Sequence, residues 1–369
     1  MLPDADRILL GPGPSQTSPR VMRAMATPTV GHLDPIMLGL LDEVRGQLTR
    51  LFRAPEGSFA LAISGTGTSG METAVANLVG EGTRAIVVVT GYFGDRLAEM
   101  CARYGATVRR VDVEWGRACD PERLRDALRT EGADIVAMVQ AETSTGVLNP
   151  IDQLAAIAHD HGALTIVDAV TSFGGHRLDV GAWGIDACYS CTQKCLGAPS
   201  GLAPVVFGPR ALERRVRKCR SFYFDLQLLE DYWVRRKYHH TMSSTLVYAL
   251  HEALTIVEEE GLDARWARHE TNHRTFLAGL KTMGLSLLPP EGERLWTLNA
   301  VRIPDGVADA AVRKQLLEEF GIEIGAGLGP LAGKIWRVGL MGTSSSERLI
   351  VLLLGALEKA IAAQGVRSA

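Results

Sequence analysis

Apolar and polar positions alternate in blocks through the first two thirds of the chain. Between residues 58 and 210, short runs of consecutive apolar residues are separated by longer stretches in which apolar residues recur every three or four positions. The first pattern is typical of buried strands and the second of amphipathic helices. The predicted strands are Phe59–Ile63, Ala85–Val89, Thr107–Val111, Ile135–Val139, Leu164–Val167 and Ala203–Phe207. This alternation predicts an α/β fold with a mostly parallel sheet that helices cover on both faces.

The pattern changes near residue 260. A helical stretch, Leu262–Met283, is followed by apolar runs and further helical stretches that together predict a smaller α+β unit. The predicted elements are strands at Trp296–Ile303 and Trp336–Leu340 and helices at Ala308–Phe320 and Ser346–Gln364. We expect an N-terminal arm at 1–20, where Gly11-Pro-Gly-Pro-Ser15 disfavours regular structure. A large domain at 21–259 and a small C-terminal domain at 260–369 are expected to follow it.

Composition narrows the class of protein. The 369 residues are 46% hydrophobic and 22% charged, with a net charge of −3, which is typical of a globular protein without affinity for nucleic acid or anionic membranes. The N-terminal sequence lacks the features of a secretory signal, so we expect a cytoplasmic protein. Six cysteines are too few for a disulfide framework. Cys188, Cys191 and Cys195 lack partners at metal-ligand spacing, so reduced thiols are predicted and no metal site.

A glycine-rich segment, Gly65-Thr-Gly-Thr-Ser-Gly70, lies between the first predicted strand and a predicted helix at Met71–Val79. Its spacing matches the dinucleotide fingerprint, which also requires an acidic residue at the end of the next strand. That strand ends in Thr90-Gly-Tyr-Phe-Gly94, which contains no acid. Backbone amides at a helix N-terminus can still bind a single phosphate, but a generic tight turn has the same pattern.

Asp168 and Lys194 each follow a predicted strand. A carboxylate at the end of the very apolar Leu164–Val167 run needs a cation or strong donors. A lysine in an apolar, glycine-rich setting has a lowered pKa and a nucleophilic amine. Taken singly, they could equally be a turn acid and a surface lysine. Together with the phosphate loop they indicate a pyridoxal phosphate site, in which the acid pairs with the ring nitrogen and the lysine forms a Schiff base.

Over nearly its whole length the chain resembles the class V, fold-type I pyridoxal phosphate aminotransferases of the alanine–glyoxylate and serine–glyoxylate group. The motifs that carry the resemblance are Leu10-Gly-Pro-Gly-Pro-Ser15, Gly31-His32, Ser64-Gly-Thr-Gly67, Glu142-Thr-Ser-Thr-Gly-Val147, Val167-Asp-Ala-Val170, Gln193-Lys194, Tyr238-His-His-Thr241, Gly325-Ala-Gly-Leu-Gly329 and Arg337-Val-Gly-Leu-Met-Gly342. The resemblance implies the fold of these pyridoxal phosphate transferases. It also implies transfer of an amino group from alanine or serine to a small 2-oxo acid, above all glyoxylate.

The resemblance implies roles for single residues. Lys194 is expected to be the catalytic Schiff-base lysine, and Asp168 to keep the cofactor ring nitrogen protonated. The expected cofactor ligands also include Thr66, Gly67, Thr68 and Gln193 near the phosphate, Thr143 at the phenolic oxygen and Phe93 on the ring face. Tyr238 and Thr241 are expected to reach the phosphate of a neighbouring subunit, which implies a homodimer with shared sites. The expected substrate-binding residues are Arg337 at the carboxylate, with Pro12, Gly13 and Thr143 lining the pocket.

The chain departs from its group at Phe93, where the relatives have Trp, and at Thr68, where they have His. Phe stacks more weakly than Trp, so these positions bear on cofactor affinity.

Alternatives within the cofactor class are another amino donor, such as ureidoglycine or an aminophosphonate, and a lyase. Cys195 and Cys219 are not in the setting of a desulfurase cysteine. An NAD-dependent oxidoreductase is the alternative from another class. A metal site at His239 and His240 is disfavoured because neighbours on a strand point apart.

Overall fold

The computed structural model describes residues 7–365, which form fourteen strands and twelve α-helices. The strands are β1 (Ile8–Leu9), β2 (Phe59–Gly65), β3 (Arg84–Val89), β4 (Thr107–Asp112), β5 (Ile135–Val139), β6 (Ala141–Glu142), β7 (Val147–Leu148), β8 (Leu164–Asp168), β9 (Ala187–Tyr189), β10 (Gly201–Phe207), β11 (Leu298–Arg302), β12 (Ile322–Glu323), β13 (Gly325–Ala326) and β14 (Ile335–Gly339). The helices are α1 (Pro19–Met25), α2 (Pro35–Leu51), α3 (Gly67–Leu78), α4 (Tyr92–Arg103), α5 (Pro121–Glu131), α6 (Ile151–Asp160), α7 (Pro209–Glu213), α8 (Leu226–Trp233), α9 (Ser244–Glu260), α10 (Leu262–Thr282), α11 (Asp309–Phe320) and α12 (Glu347–Ala362).

A seven-stranded sheet in the order β2-β10-β9-β8-β5-β3-β4 forms the centre of the larger part. Strands β9, β8, β5, β3 and β4 run parallel to one another, and β10 is antiparallel to both β2 and β9. The five residues of β5 and of β8 are all buried, which explains why these strands appear as uninterrupted apolar runs in the sequence. The predicted α/β fold with a mostly parallel sheet is confirmed.

Local sequence signals set the starts of several helices. Asp34 and Asp120 each precede a proline, and their side chains accept the backbone N–H two residues on, so α2 and α5 begin at Pro35 and Pro121. Helix α3 differs, because its N-cap residue Thr66 makes no side-chain capping bond. Within the described residues the Gly67 and Thr68 amides make no hydrogen bond, and α3 begins directly after β2, at the end of the sheet where ligands of α/β proteins bind.

A second apolar core lies in the C-terminal part of the chain. It is built from Leu10 and from residues between 276 and 361, whereas the first core draws on residues 37–257. Its antiparallel sheet has the order β11-β14-β13, and α10, α11 and α12 pack together beside it. All its predicted helices and strands are present. The two cores support the predicted division near residue 260, whose boundaries stay a prediction.

The N-terminal arm joins the two cores. Strand β1 pairs with β12 in parallel, and the Gly339 N–H donates to Leu10 O at 2.8 Å. Further on, the Ser15 N–H donates to Gln193 O at 2.9 Å. The arm thus runs from the second core to the loop after β9.

Among the described residues, no helix is long and apolar enough to cross a membrane.

Candidate active site

Lys194 lies in the loop after β9 and is held there by the arm. Its Nζ donates to Pro12 O, and its own carbonyl accepts the Ser15 hydroxyl at 2.6 Å. Gly13 lies against the lysine side chain, since a Cβ at this position would be 2.6 Å from Nζ. Gly13 has a φ of +114°, a conformation that glycine adopts easily. Pro12 and Gly13 therefore contact Lys194 directly, and their role in a substrate pocket stays a prediction.

The protein around Lys194 favours its uncharged form. Burial lowers the pKa of the amine, and the positive charge of Arg337 lowers it further, while Cys191, Cys195 and Asp168 act in the opposite direction. Because only an uncharged amine is a nucleophile, the lowered pKa increases the fraction that can attack a carbonyl carbon.

Asp168 is the last residue of β8 and is buried, with its Oδ1 accepting the Val170 N–H at 2.8 Å. Burial raises the pKa of this carboxyl to about 7, against the opposing effects of the Val170 N–H and the Lys194 amine. Tyr189 lies opposite Asp168 in the register of β8 and β9. Burial and the Asp168 carboxylate raise the pKa of the Tyr189 phenol well above its usual value. A cationic ring nitrogen is the kind of group that would stabilise the Asp168 carboxylate.

One cavity of about 190 Å³ brings most of the predicted cofactor residues together. Its lining residues are Thr66, Gly67, Thr68, Met71, Phe93, Arg96, Asp168, Val170, Gln193 and Lys194. Gly67 makes room at the start of α3, because a Cβ there would be 3.0 Å from the Val170 side chain. The buried Oε1 of Gln193 has no hydrogen-bond partner among the described residues. The cavity therefore combines an open helix N-terminus, a buried acid and an amine.

Arg337 and Thr143 are not part of the lining of this cavity. The Arg337 Nε donates to Ala326 O at 2.7 Å, and its Nη1 lies 3.5 Å from Thr143 O. Burial lowers the pKa of Arg337 to about 10, with the Glu142 carboxylate as the opposing influence. The Thr143 hydroxyl is 2.5 Å from that of Thr171. Among residues 7–365 no carboxylate is bonded to this buried guanidinium, which is therefore suited to bind the carboxylate of a small acid.

Tyr238 and Thr241 do not line the cavity of their own chain. Both are exposed, Tyr238 by 63%. The strand assumed for this segment is wrong, because residues 237–243 have no regular structure and the Nδ1 atoms of His239 and His240 lie 2.8 Å apart. The His240 Nε2 is 2.8 Å from the Ser64 hydroxyl, at the start of the phosphate loop. The segment therefore borders the cavity without entering it.

His239, His240 and the cysteines were weighed in the sequence as possible metal ligands. His239 Nε2 lies 3.2 Å from Phe222 O, so both ring nitrogens of this residue have a neighbour. All six cysteines are free and buried. In residues 7–365 there is no group of three or more His, Cys, Asp or Glu side chains placed to hold a metal ion.

Glu142 has a role that sequence reasoning missed. Its fully buried carboxylate accepts N–H groups of Phe93 at 3.4 Å and Gly94 at 3.2 Å, in the first turn of α4, and the Ser144 hydroxyl at 2.6 Å. Burial raises the pKa of Glu142, and these donors oppose the rise. The carboxylate thus fixes the helix turn that carries Phe93. The motif containing Glu142 is visible in the sequence, but its partners are almost 50 residues away.

Comparison with known proteins assigns the family. The sequence model of "Aminotransferase class-V" matches residues 8–339. The chain belongs to the class-V aminotransferase family. The alanine–glyoxylate aminotransferase of Drosophila melanogaster is 36% identical to this aminotransferase, covering 96% of this chain and 92% of its own length. The family assignment confirms the predicted enzyme class and the pyridoxal phosphate cofactor.

Solved structures agree with the assignment. The ureidoglycine–glyoxylate aminotransferase of Bacillus subtilis matches with a TM-score of 0.96 and 40% identity, over 99% of this aminotransferase and 95% of that chain. The alanine–glyoxylate aminotransferase of Nostoc sp. matches with a TM-score of 0.93 and 44% identity, over 98% and 97%. These similarities confirm the fold-type I architecture and exclude the dinucleotide interpretation of the glycine loop.

The cavity residues fit pyridoxal phosphate. The uncapped N-terminus of α3 suits a phosphate, and the buried Asp168 suits a protonated ring nitrogen. The Lys194 amine suits an aldehyde, and the Phe93 ring offers an apolar face to a flat heterocycle. Each chemical part of the cofactor therefore has a complementary group in one cavity.

Proposed function

We propose that this aminotransferase moves an amino group from a small amino acid, alanine or serine, to glyoxylate. The observation that carries the proposal is the single cavity that joins the Lys194 amine, the Asp168 carboxylate and the open N-terminus of α3. Its relatives in Drosophila and Nostoc are alanine–glyoxylate aminotransferases, and the one in Bacillus also bears glyoxylate in its name.

Pyridoxal phosphate, when bound, supplies an electron sink that makes the substrate α-proton acidic. Lys194 provides the amine that takes that proton on Nζ and returns it, because its lowered pKa leaves the amine free to act as a base. Asp168 holds a proton on the cofactor nitrogen through its carboxylate. Glu142 keeps Phe93 in place over the cavity by accepting two N–H groups from the first turn of α4.

Arg337 is proposed to bind the substrate α-carboxylate, and Thr143 to bond the phenolic oxygen of the cofactor. Pro12 and Gly13 close the pocket beside Lys194 and restrict it to small substrates. Thr66, Gly67, Thr68 and Gln193 are proposed to surround the phosphate. All four line the same cavity, and Thr66, Gly67 and Thr68 form the N-terminus of α3, which supports this assignment.

Ureidoglycine is the second candidate donor, and the 40% identity to the ureidoglycine–glyoxylate aminotransferase of Bacillus favours it. The test is a donor panel of alanine, serine, ureidoglycine and an aminophosphonate with glyoxylate as acceptor, measured as glycine formed. Glycine formation with at least one donor supports the proposal. Release of ammonia without glycine would identify a lyase, and no reaction with any donor would reject the proposed transfer.

We also propose a homodimer with shared sites. Phe222, Tyr223 and Tyr238 are exposed by 71%, 39% and 63%. The Tyr238 ring contacts His32, and the Phe222 and Tyr223 rings contact His239. These rings border Ser64 and the phosphate loop through His240. Exposed aromatic surface of this kind is typical of an interface. In this arrangement Tyr238 and Thr241 reach the phosphate of the partner.

A complementation experiment tests the shared site. Mixing Lys194→Ala subunits with Tyr238→Ala subunits, each impaired alone, is expected to restore activity, because the hybrid contains one site with both residues intact. No gain on mixing of subunits that are shown to exchange would contradict it.

The free, buried thiols of the six cysteines support the proposed cytoplasmic location.

A further inference from the structure

Arg96 is a cation at the rim of the cofactor cavity to which no role has been assigned. It lies one helical turn after Phe93 on α4 and lines the same cavity as Asp168 and Lys194. Its Nη1 donates to the Thr68 hydroxyl at 3.1 Å, across the gap between α4 and α3. Its guanidinium carbon lies 5.1 Å from the centre of the Phe93 ring, a cation–π distance. Arg96 therefore connects the ring-face residue to the phosphate loop.

The charge of Arg96 has no neutralising partner in the part of the chain that the structure describes. Within residues 7–365, no carboxylate oxygen lies within 4 Å of its guanidinium. Other arginines on or near α4 are paired, Arg103 with Glu99 at 2.5 Å and Arg110 with Asp95 at 2.6 Å. Arg96 thus keeps a positive charge and most of its five N–H donors available toward the cavity.

The phosphate end of the cavity needs such a charge. A phosphate monoester carries about two negative charges near neutral pH. The α3 N-terminus and the Thr66 and Thr68 hydroxyls supply only partial charges, equivalent to about half a unit from the helix. The remaining cation of the lining, Lys194, is required at the cofactor aldehyde. Arg337 lies outside that lining and contacts Ala326.

We propose that Arg96 binds the phosphate group of pyridoxal phosphate and, by the same contact, holds the Phe93 ring over the cofactor. The inference rests on the proposed function, since it requires the cofactor in this cavity. Its position on the rim, half-buried and next to Thr68, places the guanidinium at the phosphate end of the site. An arginine in this place contributes charge-assisted hydrogen bonds that threonine hydroxyls cannot provide.

The test compares two ligands that differ only in the phosphate. Apoenzyme is titrated with pyridoxal phosphate and with pyridoxal, using the wild type, Arg96→Met, Arg96→Lys and, as a matched control on the same helix, Arg103→Met. We expect Arg96→Met to weaken pyridoxal phosphate binding about tenfold or more and pyridoxal binding much less, because only the contact with Phe93 acts on pyridoxal. Arg96→Lys is expected to fall in between, and Arg103→Met to match the wild type. Thermal unfolding of each apoenzyme verifies that it is folded.

The outcomes separate the possibilities. Equal weakening of both ligands by Arg96→Met would overturn phosphate binding by Arg96, since it would show that the side chain only supports Phe93. Unchanged binding of both ligands would overturn the proposal altogether. Failure of the wild type to form a borohydride-sensitive band near about 420 nm with pyridoxal phosphate would reject the proposed function itself, and this inference with it.

Discussion

The cofactor end and the substrate end of the candidate site are built in different ways. At the cofactor end, Asp168 is the last residue of β8, and Thr66 and Lys194 lie in the segments that follow β2 and β9 of the same sheet. At the substrate end, Gly13 comes from the arm and Arg337 from the second core, more than 300 positions apart in sequence. The first end depends on one continuous sheet. The second depends on how the arm and the C-terminal core pack against that sheet.

The two ends meet at Lys194, which touches the arm through Pro12 and lines the cofactor cavity. Variants at this residue should therefore abolish the functions of both ends, whereas variants elsewhere should affect one more than the other. The following predictions use this difference, beginning with the largest expected effect.

Lys194→Ala is expected to remove the nucleophilic amine and lower kcat/KM by roughly a thousandfold or more. The absorption of bound cofactor near about 420 nm should vanish as well, since it requires the lysine amine. Absorbance and single-turnover kinetics measure both. Lys281→Ala, at an exposed lysine at the end of α10, is the control and should behave as wild type. A variant that kept both the band and the activity would contradict the central assignment.

Asp168→Asn should lower kcat by about a hundredfold, because the amide cannot hold a proton on the cofactor nitrogen as a carboxylate does. The Asn Oδ1 still accepts the Val170 N–H, so the variant is expected to fold. Rates at saturating substrate and cofactor test this effect. A variant with wild-type kcat would show that the carboxylate does not act on the ring.

The same substitution has a second consequence in the apoenzyme. The pKa of Asp168 is raised from 3.8 to about 7, so the folded state holds its proton more tightly than the unfolded state. Between pH 4 and 7 the contribution of this group to the free energy of unfolding should fall as the pH rises. Denaturant unfolding of wild type and Asp168→Asn across this range measures it. The variant should lose that part of the pH dependence.

Arg337→Met is expected to lower kcat/KM by about a hundredfold, since a bidentate guanidinium–carboxylate contact is lost. The affinity for pyridoxal phosphate should change little, because Arg337 lies outside the lining of the cofactor cavity. Steady-state kinetics and cofactor titration separate the two quantities. The exposed Arg302 on the adjacent strand provides the control Arg302→Met. If Arg337→Met lowered the affinity for pyridoxal phosphate as much as it lowered kcat/KM, the cofactor end and the substrate end would not be separate.

Gly13→Ala should have a smaller effect, in which a change at the substrate end displaces Lys194 of the cofactor end. Its φ of +114° disfavours alanine, and the added Cβ would lie 2.6 Å from the Lys194 Nζ. Strain of this kind amounts to about 1–3 kcal/mol, so we expect roughly tenfold slower turnover from a displaced lysine. Gly82→Ala imposes a similar strain at φ +78° with open space around the Cβ. If both variants lose activity equally, the contact with Lys194 is not the cause.

Much of the fold could be predicted from apolar periodicity. All six strands predicted in the first part appear in the structure, because buried strands and amphipathic helices have distinct periods. The strand assumed at Tyr238–Thr241 was wrong. A short segment of mixed polar and aromatic residues has no regular alternation from which a strand can be predicted. The sequence pattern did not lead us to predict the helices α2 and α9, which pack against each other.

The sequence by itself determined the chemical groups of the site and their order, since Asp168, Lys194 and the glycine loop each follow a strand and the ends of parallel strands meet at one edge. Only the tertiary structure decided which groups touch. The contact of Gly13 with Lys194, the capping of α4 by Glu142 and the unpaired charge of Arg96 beside Thr68 all join distant segments. Such contacts depend on the packing of whole elements, which local patterns of residues do not encode.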